Sequence, residues 1–484
     1  MQARSLVLQS LVKWKNNMGT SSSIDLKKLS ATKIHFIGIG GSGMSGIARI
    51  MLAKGLSVSG SDKNDSAVIK SLRALGAEIF IGHNENNLKD CELVIMSSAI
   101  SDMNPELAFA KSKGIPIAAR AEALAWLMSE STSIAIAGTH GKTTTTAMLT
   151  VALQSAGLDP SFAIGGTINT AGTNAHSGSG SVFIAEADES DGSFLAYKPN
   201  GAIITNVELD HVDHFANEEQ VFLVFEDFVK SIKQDGFLVA CGDDAGVKKL
   251  LSRISRDDLR VYLYGEDANN DFKIDRIHLA PTTSVATITN TGRKVGDLNL
   301  SVVGKHNLLN ALAAFAAGSA LSVPEEKMLI GLKSFTGTRR RFELRGEVSG
   351  IKVIDDYGHH PTEINVTLAA ARNLAQAGRV LVIFQPHRYS RTAVFAKKFS
   401  EALNLADYTY LLEVYAASEA PIPGVSSLMI AKEMSVDKVK FEPSMINVVE
   451  EISKNAKSGD VIITLGAGDV NSLAQPILQA ISDL

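Results

Sequence analysis

The stretch Gly138 to Thr144, GTHGKTT, constrains this chain more than any other. A short apolar run, Ser133 to Ala137, leads into it, and Thr145 to Leu158 suits a helix. Strand, glycine turn, Lys-Thr and helix together call for an α/β layer. The turn must offer backbone N–H groups to an anion at the positive end of the helix. That arrangement holds the phosphates of a nucleoside triphosphate. In such a loop Lys142 reaches the outer phosphates and the Thr143 hydroxyl takes Mg²⁺. The spacing is a variant, because the common Walker A loop would place a glycine where Ile136 stands. An ordinary strand-to-helix turn is the bland alternative. The glycines on both sides of Thr139 and His140 weigh against it.

Length and composition set the frame around this loop. A chain of 484 residues corresponds to about three domains. Hydrophobic residues at 45% and charged residues at 20% fit a globular protein with large cores. The net charge of −5 supplies no basic field, so no nucleic-acid partner is expected. Cys91 and Cys241 form neither a metal-spacing motif nor a disulfide framework, which fits the reducing cytoplasm. No uncharged apolar run reaches membrane-span length. The nearest, Asn307 to Val323, contains Asn310, Gly318 and Ser319 and reads as a buried helix, so no membrane partner is expected. Met1 to Ile24 carries Arg4, Lys13 and Lys15, no acid and a broken apolar stretch, so residues 1–30 are expected to be a flexible extension, or a start mis-called ahead of Met18, rather than a secretory signal, with an amphipathic targeting peptide as the alternative.

The first domain is expected over 31–130. Lys33 to Ile37 reads as a strand and runs into GIGGSGMSG, with Gly38, Gly40 and Gly43 in the G-x-G-x-x-G spacing. Asp62 follows a second strand, Leu56 to Ser59, about 20 residues on, where a Rossmann acid meets a ribose. Glu78 to Ile81, Leu93 to Met96 and Ile115 to Ala118 continue the strand pattern, and Ser97-Ser98-Ala99 lies at a strand end. The central domain is expected over 131–336. Val182 to Ala185 ends at Glu186, Asp188, Glu189 and Asp191, and Ala202 to Thr205 ends at NVELDHVDHF. Both acidic clusters then lie on the edge of the sheet that carries the phosphate loop. Glu186 and His211 are the metal-ligand candidates, whereas Asp191 and Glu219 read as solvated or capping acids. Residues 253–303 read as an antiparallel decoration of short strands (VYLYG, KIDRIHL, VATIT). His306-Asn307 opens an Ala-rich helix, where it caps the helix or touches a base.

The third domain is expected over 337–484. Arg339, Arg340 and Arg341 stand at its start, as a solvated face or a phosphate clamp. Four strands in α/β order are expected at Ile351–Ile354, Val380–Phe384, Tyr408–Glu413 and Val461–Leu465. Polar clusters follow the first two, and His359, His387, Arg388 and Arg391 there are better explained by an anionic ligand than by structure alone.

GIGGSGMSG, GTHGKTTTT, EADESDGSF, LDHVDHF, GKHNLLNA, RRRFELRG, DDYGHHPTEI and QPHRYSRT together resemble the Mur ligase family, in order from about Lys33 to the C-terminus. The shortened phosphate loop is the form this family uses. The resemblance implies a three-domain α/β architecture: a Rossmann-like N-terminal domain, a central P-loop ATPase-type parallel sheet with a small antiparallel decoration, and a Rossmann-like C-terminal domain. It implies ATP-dependent amide formation in peptidoglycan precursor synthesis. ATP converts the carboxylate of UDP-N-acetylmuramate to an acyl phosphate, which the amine of L-alanine attacks. A recycling ligase that adds a whole tripeptide to the same sugar nucleotide is the alternative. An NAD-dependent oxidoreductase has no use for GTHGKTT with acidic strand ends.

Roles carry over by motif. Gly38, Gly40, Gly41, Gly43, Met44, Ser45, Asp62, His83, Ser98 and Arg120 are implied around the UDP-sugar. Gly138, Thr139, His140, Gly141, Lys142, Thr143 and Thr144 are implied for ATP, with His306, Asn307, Arg341, Asp356 and Tyr357. Thr143, Glu186 and His211 are implied for Mg²⁺, for which Mn²⁺ can substitute. His359, His387, Arg388 and Arg391 are implied for the amino acid. Lys142, Glu186, His211, Arg341 and His359 carry the chemistry, with His211 or His359 as base for the amine. The assembly is a monomer or a homodimer.

Overall fold

The computed structural model describes residues 33–484 apart from Ser98, Asp191 and Ser418, so the expected 1–30 extension lies outside the described residues. Two compact units emerge. One holds the described residues up to Val207 together with Glu218–Asn270 and Ala313–Gly331; the other holds Glu208–Asn217, Asp271–Leu312 and Leu332–Leu484.

The first unit begins with β1 (Lys33–Ile37), β2 (Ser57–Asp62), β3 (Glu78–Ile81), β4 (Leu93–Met96) and β5 (Ile117–Ala119), parallel in the order β3-β2-β1-β4-β5. The order reverses between β1 and β4, so the glycine loop after β1 and Ser97 after β4 flank the crevice where such sheets bind ligands. Ile34, Phe36, Val94 and Ile95 are fully buried, as a parallel sheet covered on both faces requires.

The same unit then builds β6 (Thr132–Ala137), β7 (Ser161–Ile168), β8 (Thr173–His176), β9 (Val182–Glu186), β10 (Gly201–Ile204), β11 (Phe237–Cys241) and β12 (Arg260–Gly265). Their order is β12-β11-β10-β6-β9-β7-β8, parallel except for the β7–β8 hairpin. β6 lies between β9 and β10, so the loop after β6 meets the ends of both. VYLYG therefore belongs to the parallel sheet, as β12 beside β11, and not to the antiparallel decoration expected for it.

The helix after β6 begins at Lys142, earlier than the Thr145 of the sequence reading, because Gly141 (φ +81°) serves as its N-cap. Its run of threonines is buried, which β-branched polar residues seldom tolerate. The Thr146 and Thr150 hydroxyls meet part of this cost by donating to the carbonyls of Lys142 and Thr146, each at 2.8 Å, whereas the Thr145 hydroxyl has no partner among the described residues. Beyond β9, Phe194 anchors the acidic segment. It stacks on Phe228 at 4.6 Å and meets Phe225 edge-on at 5.9 Å, both from the helix Glu218–Ser231.

In the second unit β13 (Phe272–Leu279), β14 (Ser284–Asn290) and β15 (Arg293–Leu300) form an antiparallel meander. β16 (Glu343–Val348), β17 (Ile351–Asp356), β18 (Val380–Phe384), β19 (Tyr408–Leu411), β20 (Val439–Phe441) and β21 (Val461–Leu465) make a sheet in the order β16-β17-β21-β18-β19-β20. β16 is an antiparallel edge and the rest are parallel. Alternation along β18 sends Val382 and Phe384 to one apolar core with Leu368 and Phe399, and Leu381 and Ile383 to another with Val448 and Ile477.

Truncating Phe194 removes the stacked ring under the acidic segment. Phe194→Ala is expected to lower stability by about 3–5 kcal/mol in urea denaturation, with the secondary structure retained by far-UV circular dichroism.

Candidate active site

The phosphate-type loop is shaped by its neighbour strand. Beyond β10, Asn206 Oδ1 accepts from His140 N at 2.8 Å, Asn206 Nδ2 donates to His140 O at 3.1 Å, and Asn206 O accepts from Thr139 N. The Thr205 hydroxyl donates to His140 O at 2.5 Å. Gly138 lies at φ +128°, and a Cβ there would meet the Thr205 hydroxyl and, at 2.9 Å, its backbone nitrogen. Only glycine fits. With the loop carbonyl of His140 held inward, the start of the helix turns the N–H groups of its first turn outward.

Lys142 is nearly buried and lies 2.9 Å from Glu189 Oε2, and its ammonium also donates to Gly138 O and Thr139 O. Burial favours the neutral amine, but Glu189, Asp188 and Glu186 outweigh it and hold the lysine charged. Burial pushes the Glu189 carboxyl up to about 7. The Thr143 hydroxyl donates to Glu186 Oε1 at 2.8 Å, and Gly165 N donates to Oε2 of the same carboxylate at 2.7 Å. A hydroxyl and a carboxylate oxygen side by side at a strand end are hard oxygen donors of the kind Mg²⁺ takes, so Thr143 and Glu186 fit that ion.

The glycine loop after β1 lines a cavity of about 290 Å³ in this same unit. Gly43, Met44, Ser97, Arg120, Asn174, Glu186 and Asp188 are among its walls. Arg120 packs so closely on the loop that a Cβ at Gly43 would stand 3.0 Å from its Cδ. Asn174 ties the β7–β8 hairpin to the loop by donating to Ser42 O at 3.0 Å. Ser45 is buried and donates to Ser42 O. Asp62, at the position where a Rossmann acid meets a ribose, accepts from Gly40 N at Oδ2 at 2.8 Å and so braces the loop. His83, expected near the sugar, is bound into a polar cluster. Its Nδ1 lies 3.0 Å from both the Ser61 hydroxyl and Glu106 Oε2. Glu106 is wholly buried, and burial raises its pKa. The nearby His35 ring, 3.7 Å away, and hydrogen bonds from Ser61 and Asn87 more than offset this and bring it down to about 2. Ser98 lies outside the described residues; its neighbour Ser97 lines the cavity.

The second unit gathers the remaining candidates in two groups. His306 opens the helix Lys305–Ala320, and Gly304 (φ +102°) packs against its ring. Burial, aided by Arg341, pushes His306 down to about 4. Asn307 donates to Val303 O at 2.8 Å, and Asn310 lies one turn on, 3.5 Å from the Asn307 side chain. Arg341 pairs with Glu363 at 3.1 Å, and with Arg340 it faces the Tyr357 ring, their guanidinium carbons 5.4 and 4.9 Å from its centroid. Asp356, at the end of β17, accepts from Phe342 N, Gly358 N and the Thr367 hydroxyl. Burial raises it to about 6. It is therefore an organiser of its own loops.

His359, His387, Arg388 and Arg391 do come together, with His359 and His387 ring centroids 5.8 Å apart. Arg388 sits at φ +71°, a strained position of the kind that clusters at functional sites, and pairs with Asp213. Arg391, implied for the amino acid, has its Nε and Nη2 on Asp210. His211 belongs to this second unit, on the segment Glu208–Asn217, while Glu186 belongs to the first. Its backbone is in the left-handed region (φ +49°), and its N–H donates to Asp210 Oδ1 at 2.6 Å. Burial pushes His359 down to about 3 and His387 to about 4, so both rings are neutral at pH 7. Thr205, Asn206, Asp210 and Glu363 were not singled out by sequence reasoning, and Glu189 was named only as a member of its acidic cluster. A Thr-Asn pair at a strand end beside a glycine loop was the only signal for the first two.

Three family domains match the chain in sequence order: "Mur ligase family, catalytic domain" over residues 33–132, "Mur ligase middle domain" over 136–318, and "Mur ligase, glutamate ligase domain" over 340–468. The chain belongs to the Mur ligase family. It is 48% identical to the UDP-N-acetylmuramate--L-alanine ligase of Renibacterium salmoninarum, covering 95% of this chain and 98% of that one. The ligase of the same name from Acidothermus cellulolyticus is 46% identical, over 94% and 95% of the two chains. Among solved structures, UDP-N-acetylmuramate-alanine ligase from Thermotoga maritima superposes with a TM-score of 0.77 at 30% identity, covering 93% and 99%. A murein peptide ligase from Psychrobacter arcticus gives 0.70 at 26% identity, covering 94% and 99%.

Two outcomes follow from the geometry. Gly138→Ala is expected to weaken ATP binding at least tenfold, about 1.4 kcal/mol, by isothermal titration calorimetry. Glu106 has a depressed pKa in the fold, so it stabilises above its unfolded value and that contribution fades as the pH falls. The gap in stability between wild type and Glu106→Gln is expected to be about 3 kcal/mol at pH 7. In denaturant melts it should close between pH 4.5 and about 2.

Proposed function

We propose that the chain joins L-alanine to the carboxylate of UDP-N-acetylmuramate with ATP, releasing ADP and phosphate, as a step of peptidoglycan precursor synthesis. One observation carries the reading. The glycine loop of the first sheet and the Glu186 carboxylate beside Thr143 line one cavity in the first unit. A sugar nucleotide on that loop and a phosphoryl donor on the neighbouring one can share it.

The chemistry follows from the weakness of a carboxylate as an acyl donor. Its oxygen attacks the γ-phosphorus of ATP, ADP leaves, and an acyl phosphate forms. The alanine amine adds to the acyl carbon, and the tetrahedral adduct expels phosphate and leaves the amide. Both steps build negative charge that fixed cations and N–H groups must meet. Lys142 spreads charge on the transferred phosphoryl, and the helix start behind it supplies N–H groups. Thr143 and Glu186 would hold Mg²⁺, which when bound neutralises phosphate charge. Gly40, Gly41, Gly43 and Arg120 take the UDP-sugar, with Asp62 as brace of the loop.

In the second unit, His306, Asn307 and Arg341 are assigned to ATP by motif, with Tyr357 and the loops that Asp356 organises. His359, His387 and Arg388 are assigned to the amino acid. Of the two imidazoles considered as base for the amine, His359 is the poorer. A ring held down to about 3 offers a lone pair but takes a proton from an ammonium with difficulty. His211 is the better candidate. We place the enzyme in the cytoplasm, where Cys91 and Cys241 stay free thiols. Among the described residues no helix is long and apolar enough to cross a membrane.

The test is phosphate release from ATP with Mg²⁺ and UDP-N-acetylmuramate. Release is expected with L-alanine and not with the L-Ala-D-Glu-diaminopimelate tripeptide, and Lys142→Ala should abolish it. Release with the tripeptide alone would make the chain a recycling ligase.

A further inference from the structure

The His359–His387 pair lies among fixed hydrogen-bonding partners in the second unit, and those partners decide where each ring keeps its proton. Arg391 is 3% exposed, and its Nε and Nη2 both donate to Asp210 Oδ1, at 3.1 and 2.8 Å. Asp210 is 4% exposed. The third nitrogen of that guanidinium, Nη1, lies 3.2 Å from His387 Nδ1. A guanidinium only donates. His387 Nδ1 must therefore accept, and its proton resides on Nε2.

His359 is set the opposite way. Its Nδ1 lies 3.0 Å from the carbonyl oxygen of Tyr357, which only accepts. Its proton is thus on Nδ1, and Nε2 offers a lone pair. Two neutral imidazoles side by side present opposite polarity at Nε2, one a donor and one an acceptor. An α-amino acid zwitterion presents the complementary pair, an ammonium that donates and a carboxylate that accepts.

We propose that Asp210 is a positioning residue for amino-acid recognition, which through Arg391 fixes His387 as the Nε2–H tautomer so that the ring donates to the amino acid's carboxylate. This rests on the assignment of His387 to the amino-acid site. It gives Arg391 a different part from a direct clamp on the ligand. The guanidinium spends one edge on Asp210, and its remaining nitrogen sets the ring. Asp210 also accepts from His211 N at 2.6 Å, so the same carboxylate holds the segment Glu208–Asn217 in register with the histidine pair.

The experiment uses the full chain labelled with ¹⁵N-histidine, without substrate. His387 signals are assigned by their loss in His387→Gln. In the wild type at pH 7, the ring ¹⁵N shifts should report the Nε2–H tautomer for His387 and the Nδ1–H tautomer for His359. In Asp210→Asn, His387 should become a tautomer mixture while His359 stays as it was. The KM for L-alanine should rise about tenfold, the loss of one charge-assisted contact, with kcat within about threefold. Asp210→Glu should recover most of the KM. Should Asp210→Asn not fold, Arg391→Gln, whose shorter amide can still pair with Asp210 but removes the donor at His387 Nδ1, should give the same mixture. The proposal is overturned if wild-type His387 is the Nδ1–H form, if a folded Asp210→Asn or Arg391→Gln leaves its tautomer unchanged, or if the loss falls on kcat alone. Failure of the functional reading looks different. The wild type would then release no phosphate with L-alanine, whatever the ring signals report.

Discussion

A loop that offers an anion the N–H groups at the start of its helix must be held in place by its other polar groups, and in this protein the tip of β10 holds it. Thr205 and Asn206 take both the donor and the acceptor of His140 and the N–H of Thr139. The rest of the first unit follows from that grip. It requires β10 beside β6, which forces β9 to the other side and brings Glu186 to the hydroxyl of Thr143. The same contact removes room for any side chain at Gly138. Strand order, loop conformation and the placing of an oxygen-donor pair are thus one constraint seen at three scales.

The second unit is organised by buried charge. A buried ion pair adds little net stability, but removing one partner strands the other and is costly, about 3–5 kcal/mol. Asp210 and Arg391 are such a pair, and they fix orientation more than they add stability. Burial keeps the imidazoles around them neutral, and coulombic pressure from Arg391 acts in the same direction. The result is a polar patch whose hydrogen-bonding pattern is set before any ligand arrives, which is what preorganisation means in physical terms.

The architecture was legible because apolar runs bounded by glycine and polar residues are what parallel strands look like. β1, β3, β4 and β18 fell where the pattern put them. β7 was missed because Gly165-Gly166 interrupts its run, and the strand carries a register irregularity there. VYLYG was placed in the wrong part of the sheet, because a short strand does not reveal the direction of its neighbour. At the candidate site, residue types at strand ends marked out segments. They did not reveal partners. Glu189 on Lys142, Asp210 on Arg391 and Glu363 on Arg341 are pairings across long sequence separations, set by tertiary packing rather than by spacing.

Asp62 illustrates this and has a wider consequence. In dinucleotide enzymes the acid at the end of the second strand contacts a ribose hydroxyl, so exchanging it changes which coenzyme is accepted. Here that carboxylate is occupied by the backbone of Gly40. The familiar recipe for retargeting a nucleotide fold would therefore slacken the loop whatever else it did. A sequence-guided redesign of this domain has to start instead from the cavity wall, at Arg120 and Asn174, where side chains meet open space.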